Sequence, residues 1–196
     1  WTPDESHGGA SYDATITVTD DGSPNLSDFE TISITVNEVS LPPSLTLETT
    51  LTTLLENTDT TSRIKVADVL VSDDAEGTNS LTLSGADAGL FEVEPASGTG
   101  PFTASLYLVA GAILDFETNP QLDVTVEADD AAIGGSPDDT ADLTIMIANV
   151  NEAPSGADNT LTILEGAVLT FAEADFGFSD PSDIPANAFQ RVKITT

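Results

Sequence analysis

The 196-residue chain repeats itself at a spacing of about 110 residues, which makes it a tandem array of one structural unit. The segment "ATITVTDDGSPNLSDFETISITVNEV" (14–39) is similar to "VTVEADDAAIGGSPDDTADLTIMIANVNEA" (124–153). Each has an alternating strand, an acidic turn, a Gly-Ser-Pro loop and a second alternating strand ending in Asn-Glu. Ser23 and Ser136 of these loops lie 113 residues apart, and Glu56 of "TLLENT" and Glu165 of "TILEGA" lie 109 apart. The period divides the chain into the last part of one repeat (1–41), one whole repeat (42–152) and the first part of a third (153–196). Pro42, Pro43 and Pro154 stand at the two boundaries. A proline cannot donate to a sheet ladder and keeps the preceding residue extended, so both linkers are expected to be short and stiff. Trp1 and the final "RVKITT" both read as strand, so the chain is expected to be a window on a longer polypeptide.

Runs near 45–55, 64–71, 80–84, 90–94, 103–110, 121–128 and 140–148 read as seven strands separated by Gly, Asp, Asn and Pro clusters. Side chains alternate across a strand, so Leu122, Val124, Val126 and Ala128 should point inward while Asp123, Thr125 and Glu127 face water. Leu143, Ile145 and Ile147 should do the same from the last strand. The apolar content lies in Val, Ile and Leu, with 6% aromatic residues, which favours strands over helices. Seven short strands in one repeat predict an all-β protein of tandem seven-stranded Greek-key β-sandwiches.

Thirty-four Asp and Glu face four Lys and Arg, a formal charge of -30. That argues against nucleic acid and anionic membrane surfaces as partners, because both require a basic face. No apolar stretch approaches the ~18 residues that would insert into a bilayer. The absence of cysteine removes disulfides, thiolate metal sites and cysteine nucleophiles. Cations are the natural counterpart of such a chain, and spacing must separate ligands from merely solvated carboxylates.

Several acids cluster at strand ends. They are Glu56 in "LEN", Asp73, Asp74 and Glu76 in "VSDDAEG", Asp115 and Glu117 in "LDFE", Asp129 and Asp130 in "EADD", and Asn149, Asn151 and Glu152 in "IANVNEAP". A hard divalent cation such as calcium takes six to eight oxygens from carboxylates, amides and backbone carbonyls, and irregular acidic strand ends offer all three.

The order and spacing of these motifs resemble an extracellular cadherin-type repeat, in the divergent form found in very large bacterial surface proteins. "LEN" resembles that family's first glutamate, "DAE" (74–76) its Asp-x-Asp, "LDFE" its Leu-Asp-Arg-Glu and "VEADD" its Val-x-Ala-x-Asp strand end. "NVNEAP" is similar to the linker Asp-x-Asn-Asp-Asn-x-Pro, with Asn149, Glu152 and Ala153 departing from it. The resemblance implies calcium ions between successive domains. At the junction after the whole repeat it implies Glu56, Asp115, Glu117, Asn149, Asn151 and Glu152 as ligands, joined by Asp180 and Asp183 of "FSDPSD". At the first junction it implies Asp74, Glu76 and Asp130 as the receiving face, with Glu38 from the linker and Asp4 and Glu5 as a looser donor face. That linker has Ser40 and Leu41 where the family has oxygen-rich side chains, and the second lacks two of the family's ligands, so one or two ions rather than three are expected.

Other chemistries find little support. No loop has EF-hand spacing. His7, the only histidine, reads as a solvated side chain in a Gly-rich loop. Asp115 and Glu117 lack the aromatic cleft of a glycosidase pair. The two Arg-x-Lys pairs, Arg63/Lys65 and Arg191/Lys193, read as cross-strand partners in equivalent strands, and Asn25 is a glycan acceptor only in a suitable host. The expected function is a non-enzymatic, calcium-stiffened spacer or adhesion arm, extracellular, on the cell surface or secreted. Its expected partners are neighbouring or homophilic repeats, with other surface proteins or glycans as further candidates. Two alternatives are a filament subunit completed head to tail by strand exchange, and a glycan- or protein-binding module.

Overall fold

The computed structural model describes residues 1–74 and 76–195. The first segment is a two-stranded antiparallel hairpin, β1 (Ser11–Thr19) and β2 (Ser27–Thr35), in register from Ser11 opposite Thr35 to Thr19 opposite Ser27. Asp20 closes its turn by accepting from the Gly22 and Leu26 amides at 3.1 and 2.8 Å. His7 is not simply solvated. Its Nδ1 lies 2.6 Å from Asp4 Oδ1, and its ring meets Trp1 edge-on at 5.3 Å.

Nine strands follow: β3 (Ser44–Glu48), β4 (Thr53–Leu55), β5 (Ile64–Ser72), β6 (Asn79–Ser84), β7 (Phe91–Glu94), β8 (Ser97–Gly98), β9 (Phe102–Leu108), β10 (Gln121–Asp130) and β11 (Asp139–Ala148). They form a five-stranded sheet ordered β4-β11-β10-β6-β8 and a four-stranded sheet ordered β3-β5-β9-β7. This is the β-sandwich that the alternation predicts, with two differences. Strand β8 is a two-residue addition at the sheet edge. The run 45–55, read as one strand, is two strands in opposite sheets: β3 pairs antiparallel with β5, and β4 pairs parallel with β11. The break has a local cause, since Thr49 has φ 50° and redirects the chain. Leu51 N–H still donates to Val66 O, whereas Thr52 O already accepts from Met146 N–H. The apolar phase shows the same step, because Leu45, Leu47 and Leu51 fall on odd positions and Leu54 on an even one.

The core lies between the sheets. Leu122, Val124, Val126 and Ala128 of β10 are all buried, as are Leu143, Ile145 and Ile147 of β11, against Val69, Leu106 and Leu108 from the facing sheet. Burying each such aliphatic side chain contributes about 1.5–3 kcal/mol. In β5 a bulge after Lys65 turns two successive residues inward, and both Val66 and Ala67 are 0% exposed. Arg63 bridges to Glu92 and Glu94 on β7 at 2.9 and 2.7 Å, a true cross-strand contact. Lys65 pairs instead with Asp68 on its own strand. Arg191 and Lys193 lie beyond the acidic loop at Asp180, whereas Arg63 stands just before β5 and Lys65 within it, ahead of the corresponding acidic loop at Asp73, so the two pairs do not occupy equivalent positions.

The third segment is tied to itself by a Ser155–Ser179 bridge, a short 3-10 turn at Glu173–Phe176 and a stack of Phe176 on Phe189 at 6.1 Å. No helix among the described residues is long and apolar enough to cross a membrane.

Candidate metal centres at the two junctions

β10 runs the length of the sandwich, placing Gln121 near one end and Asp130 at the other. Each end carries one of the acidic groups picked out from the sequence.

At the end facing the third segment, Glu56 follows β4 and its carboxylate has two backbone donors. Oε2 accepts from the Phe116 amide at 2.9 Å, and Oε1 accepts from the Val150 amide. The glutamate thereby clamps the "LDFE" turn to the linker, and these two amides hold its carboxyl below the usual glutamate value. Glu117 and Glu152 converge on it: one carboxylate oxygen from each of Glu56, Glu117 and Glu152 lies within 4.8 Å of the others. Three like charges at that spacing repel. Glu152 shows the strain, its pKa raised first by burial and then by Glu56, Asp183 and Glu117. Its Oε2 is buried and has no hydrogen-bond partner among the described residues.

The third segment closes over this cluster. Pro181 and Ser182 line one cleft with Glu56, Glu117 and Glu152. Asp180 and Asp183 are both 5% exposed, and the Asp183 charge bears on Glu152. Asn187, unnoticed in the sequence, organises the group. Its backbone N–H donates to Asp180 Oδ2 at 2.8 Å, and its amide donates to Asp183 Oδ2 at 3.0 Å and Asn151 Oδ1 at 3.1 Å. Asp180 Oδ1 remains buried and unpaired. A signal for Asn187 existed, since Asn79 stands in the corresponding place 108 residues earlier and donates to Asp73 Oδ2 at 2.7 Å. Asn149 donates to Glu117 Oε1 at 3.0 Å and so orients that carboxylate. Asp115 lines the same cleft and its charge bears on Glu56, while both its oxygens accept from Thr118 within its own turn, at 3.0 and 2.8 Å.

At the opposite end, protein donors occupy more of the acids. Asp130, 0% exposed, accepts from Ser40 Oγ at 2.8 Å and the Ala132 amide at 2.9 Å. Asp74 Oδ2 accepts from the Leu41 amide at 2.6 Å, and its Oδ1 from the Glu76 amide at 2.9 Å. The Glu76 side chain itself is exposed. Ser40 and Leu41, which replace oxygen-rich residues, thus supply donors to the receiving face. Glu38 packs over Gly8, whose lack of a side chain admits its carboxylate. Glu5 joins Glu38 and Asp74, and its pKa is raised first by burial and then by those two charges. Asp4 is committed to His7 and Ser6. Buried, unpaired oxygens also remain on Asp73, Asn79 and Asp129.

Both ends therefore offer what a hard divalent cation requires: oxygen donors, uncompensated negative charge and buried acceptors without donors. The Glu56 end has the better donor set.

No protein-family model matches this sequence, and no curated protein matches it. Solved structures do. A protocadherin gammaB7 EC3-6 cis-dimer aligns at TM-score 0.56 and 23% identity, over 76% of this chain and 34% of that one. Protocadherin Gamma B2 extracellular cadherin domains 3-6 align at 0.56 and 21%, over 78% and 34%. Mouse cadherin-23 EC22-24 aligns at 0.54 and 17%, over 75% and 45%. The chain thus spans between a third and a half of the length of these structures, and the likeness identifies the fold.

Proposed function

We propose that this chain, which has the cadherin-type fold, is a non-enzymatic extracellular segment of tandem repeats, divided at 41/42 and 152/153, that serves as a calcium-stiffened spacer or adhesion arm. The observation that carries the reading is the convergence of Glu56, Glu117 and Glu152 where linker and sandwich meet. Glu56, Glu117 and Glu152, with Asp180 and Asp183 from the next segment, would hold the ion. A bound divalent ion supplies positive charge to a cluster whose members otherwise repel. The chain's own residues do the positioning: two backbone amides aim Glu56, Asn149 aims Glu117, and Asn187 draws Asp180 and Asp183 toward the linker. Because the donors come from both sides of the linker, occupancy couples the two repeats and stiffens the arm.

The first junction is the weaker cation site in this reading, its acids being partly neutralised by the Leu41 amide and the Ser40 hydroxyl. Placement on a cell surface, bacterial or otherwise, and homophilic contact between arms belong to the same proposal.

Thermal melting and small-angle scattering in millimolar calcium, against chelator and against magnesium, test it. Extracellular calcium modules bind at ~10⁻⁴–10⁻³ M. Calcium should raise the melting temperature and lengthen the particle, and the pair Glu117→Gln and Glu152→Gln should abolish both responses while the sandwich stays folded. If neither quantity responds to calcium in the unaltered protein, the reading is wrong.

A further inference from the structure

The chain enters the sandwich at one end and leaves it at the other. Ser40 and Leu41 bond to Asp130 and Asp74 just before β3, whereas Val150 bonds to Glu56 just after β11. An arm under tension is therefore pulled through β3 at the first end and through β11 at the second. How the sandwich resists depends on what those strands are bonded to.

They are bonded to each other. β4, which continues β3 after the turn at Thr49, runs parallel to β11, with Thr53, Leu54 and Leu55 opposite Met146, Ile147 and Ala148. Met146 N–H donates to Thr52 O at 2.9 Å, and Glu56 N–H donates to Ala148 O at 3.1 Å, so the ladder reaches past β4 on both sides. Two carboxylates lengthen it further. Asp139, the first residue of β11, accepts from the Leu45 amide of β3 at 2.6 Å, and Glu56 accepts from the Val150 amide beyond the end of β11. The entry and exit strands are thus joined at intervals from Leu45–Asp139 to Glu56–Val150.

The parallel orientation decides the consequence. Tension draws β3 and β4 toward the Asp130 end and β11 toward the Glu56 end, so they slide lengthwise and every bond between them is loaded at once. Were the two antiparallel, entry and exit would lie at the same end, and the ladder would open one bond at a time. β3 also shears against β5 at the entry. Releasing it leaves β4 still held by β11.

We infer that the β4–β11 ladder, prolonged by the Asp139 and Glu56 carboxylates, is the mechanical clamp of this repeat, the contact that must break before the sandwich unfolds under tension. The inference rests on the arm reading for the direction of the load, and it needs no bound ion.

The test stretches the 196-residue chain by handles at its two ends, in chelator, and reads the unfolding force. Rupture of the sandwich is recognised by its length, roughly 350 Å for residues 42–152 at ~3.3–3.6 Å each less the folded span. Two proline variants separate the clamp from general damage. Only alternate residues of a parallel strand bond to a given neighbour, so the Met146 amide faces β4 while the Thr53 amide faces away from β11. Met146→Pro should lower the force of the long event well below that of the unaltered chain. Met146 is 46% exposed, so that loss reports the bond rather than the core. Thr53→Pro should leave the force unchanged. Should Met146→Pro fail to fold, Asp139→Ala takes its place: removing the acceptor of the Leu45 amide should lower the force, and Asp139→Asn, which keeps an acceptor oxygen, should restore it. Equal forces in the clamp variant and its control overturn the inference. The measurement is made without calcium, so its failure leaves the calcium response of the spacer reading standing, and a missing calcium response leaves the clamp standing.

Discussion

The Glu56 carboxylate accepts one hydrogen bond from the Phe116 amide at 2.9 Å and another from the Val150 amide, so a single side chain joins the "LDFE" turn to the linker. Glu152, a few residues further along that linker, meets the same carboxylate as a repelling charge. The junction is thus held by backbone donors and opposed by its own acids, and this balance fixes the direction of the following outcomes.

The opposed shifts of Glu56 and Glu152 give the junction a distinctive pH profile. Glu152 has a raised pKa in the folded state, so protonation relieves it and stability rises as pH falls through that value, levelling off below the ordinary 4.5. Glu56 has a lowered pKa, so its contribution is complete above 4.5 and is lost as pH falls through the folded value. Melting temperature in chelator should therefore pass through a maximum near pH 4.5. In millimolar calcium the rise from neutral pH toward that maximum should shrink to the part that Glu5 contributes at the opposite end, because the cation already neutralises Glu152. A monotonic profile in chelator would contradict the assignment.

Asn149→Asp replaces the amide that donates to Glu117 Oε1 at 3.0 Å with another carboxylate. In chelator it should lower the melting temperature of the junction. In calcium it should tighten binding on the order of tenfold, since ligand charge count tunes such sites. Calcium titration calorimetry of the two proteins distinguishes this from a merely destabilising change, which would weaken both states.

Asn187→Ala removes the side-chain donor that links Asp183 to Asn151 and leaves the sandwich core untouched. Loss of a partner that orients metal ligands typically costs ~10–100-fold in affinity, so calcium binding at the second junction should weaken by that order while the sandwich melts normally.

Gly77→Ala probes the opposite end. Gly77 has φ +79°, and a Cβ there would run into the buried Asp130 carboxylate. The substitution should destabilise the sandwich by about 1–3 kcal/mol, read by chemical denaturation. It should also loosen the Ser40–Asp130 contact that fixes the first linker.

Much of this site is legible in the chain because its acids sit at strand ends fixed by a period-2 pattern, and a strand's end is local information. Glu56, Glu117 and Glu152 stand at such ends, and folding gathers all three. Asp115 was selected on the same grounds but bonds within its own turn, because Thr118 lies three residues away and offers two donors. Asn187 is hard to single out because its one trace in the sequence is its spacing of 108 residues from Asn79, and that spacing gains meaning only when the fold shows Asn79 donating to Asp73. The division of the run 45–55 was hidden for a similar reason: continuous apolar residues conceal a change of sheet, which only the shifted phase of Leu54 betrays.

The sandwich, the inward residues of β10 and β11 and the acidic character of its two ends are legible in the order of the residues. Each follows from alternation and composition, which are properties of neighbouring residues. Only the tertiary structure decided which acids meet and which are already bonded. Carboxylates distant along the chain share a site solely through the packing of the linker and the third segment against the sandwich end. The same packing distinguishes the two ends: Glu56, Glu117 and Glu152 converge at one, while at the other Asp130 and Asp74 are capped by Ser40 and Leu41.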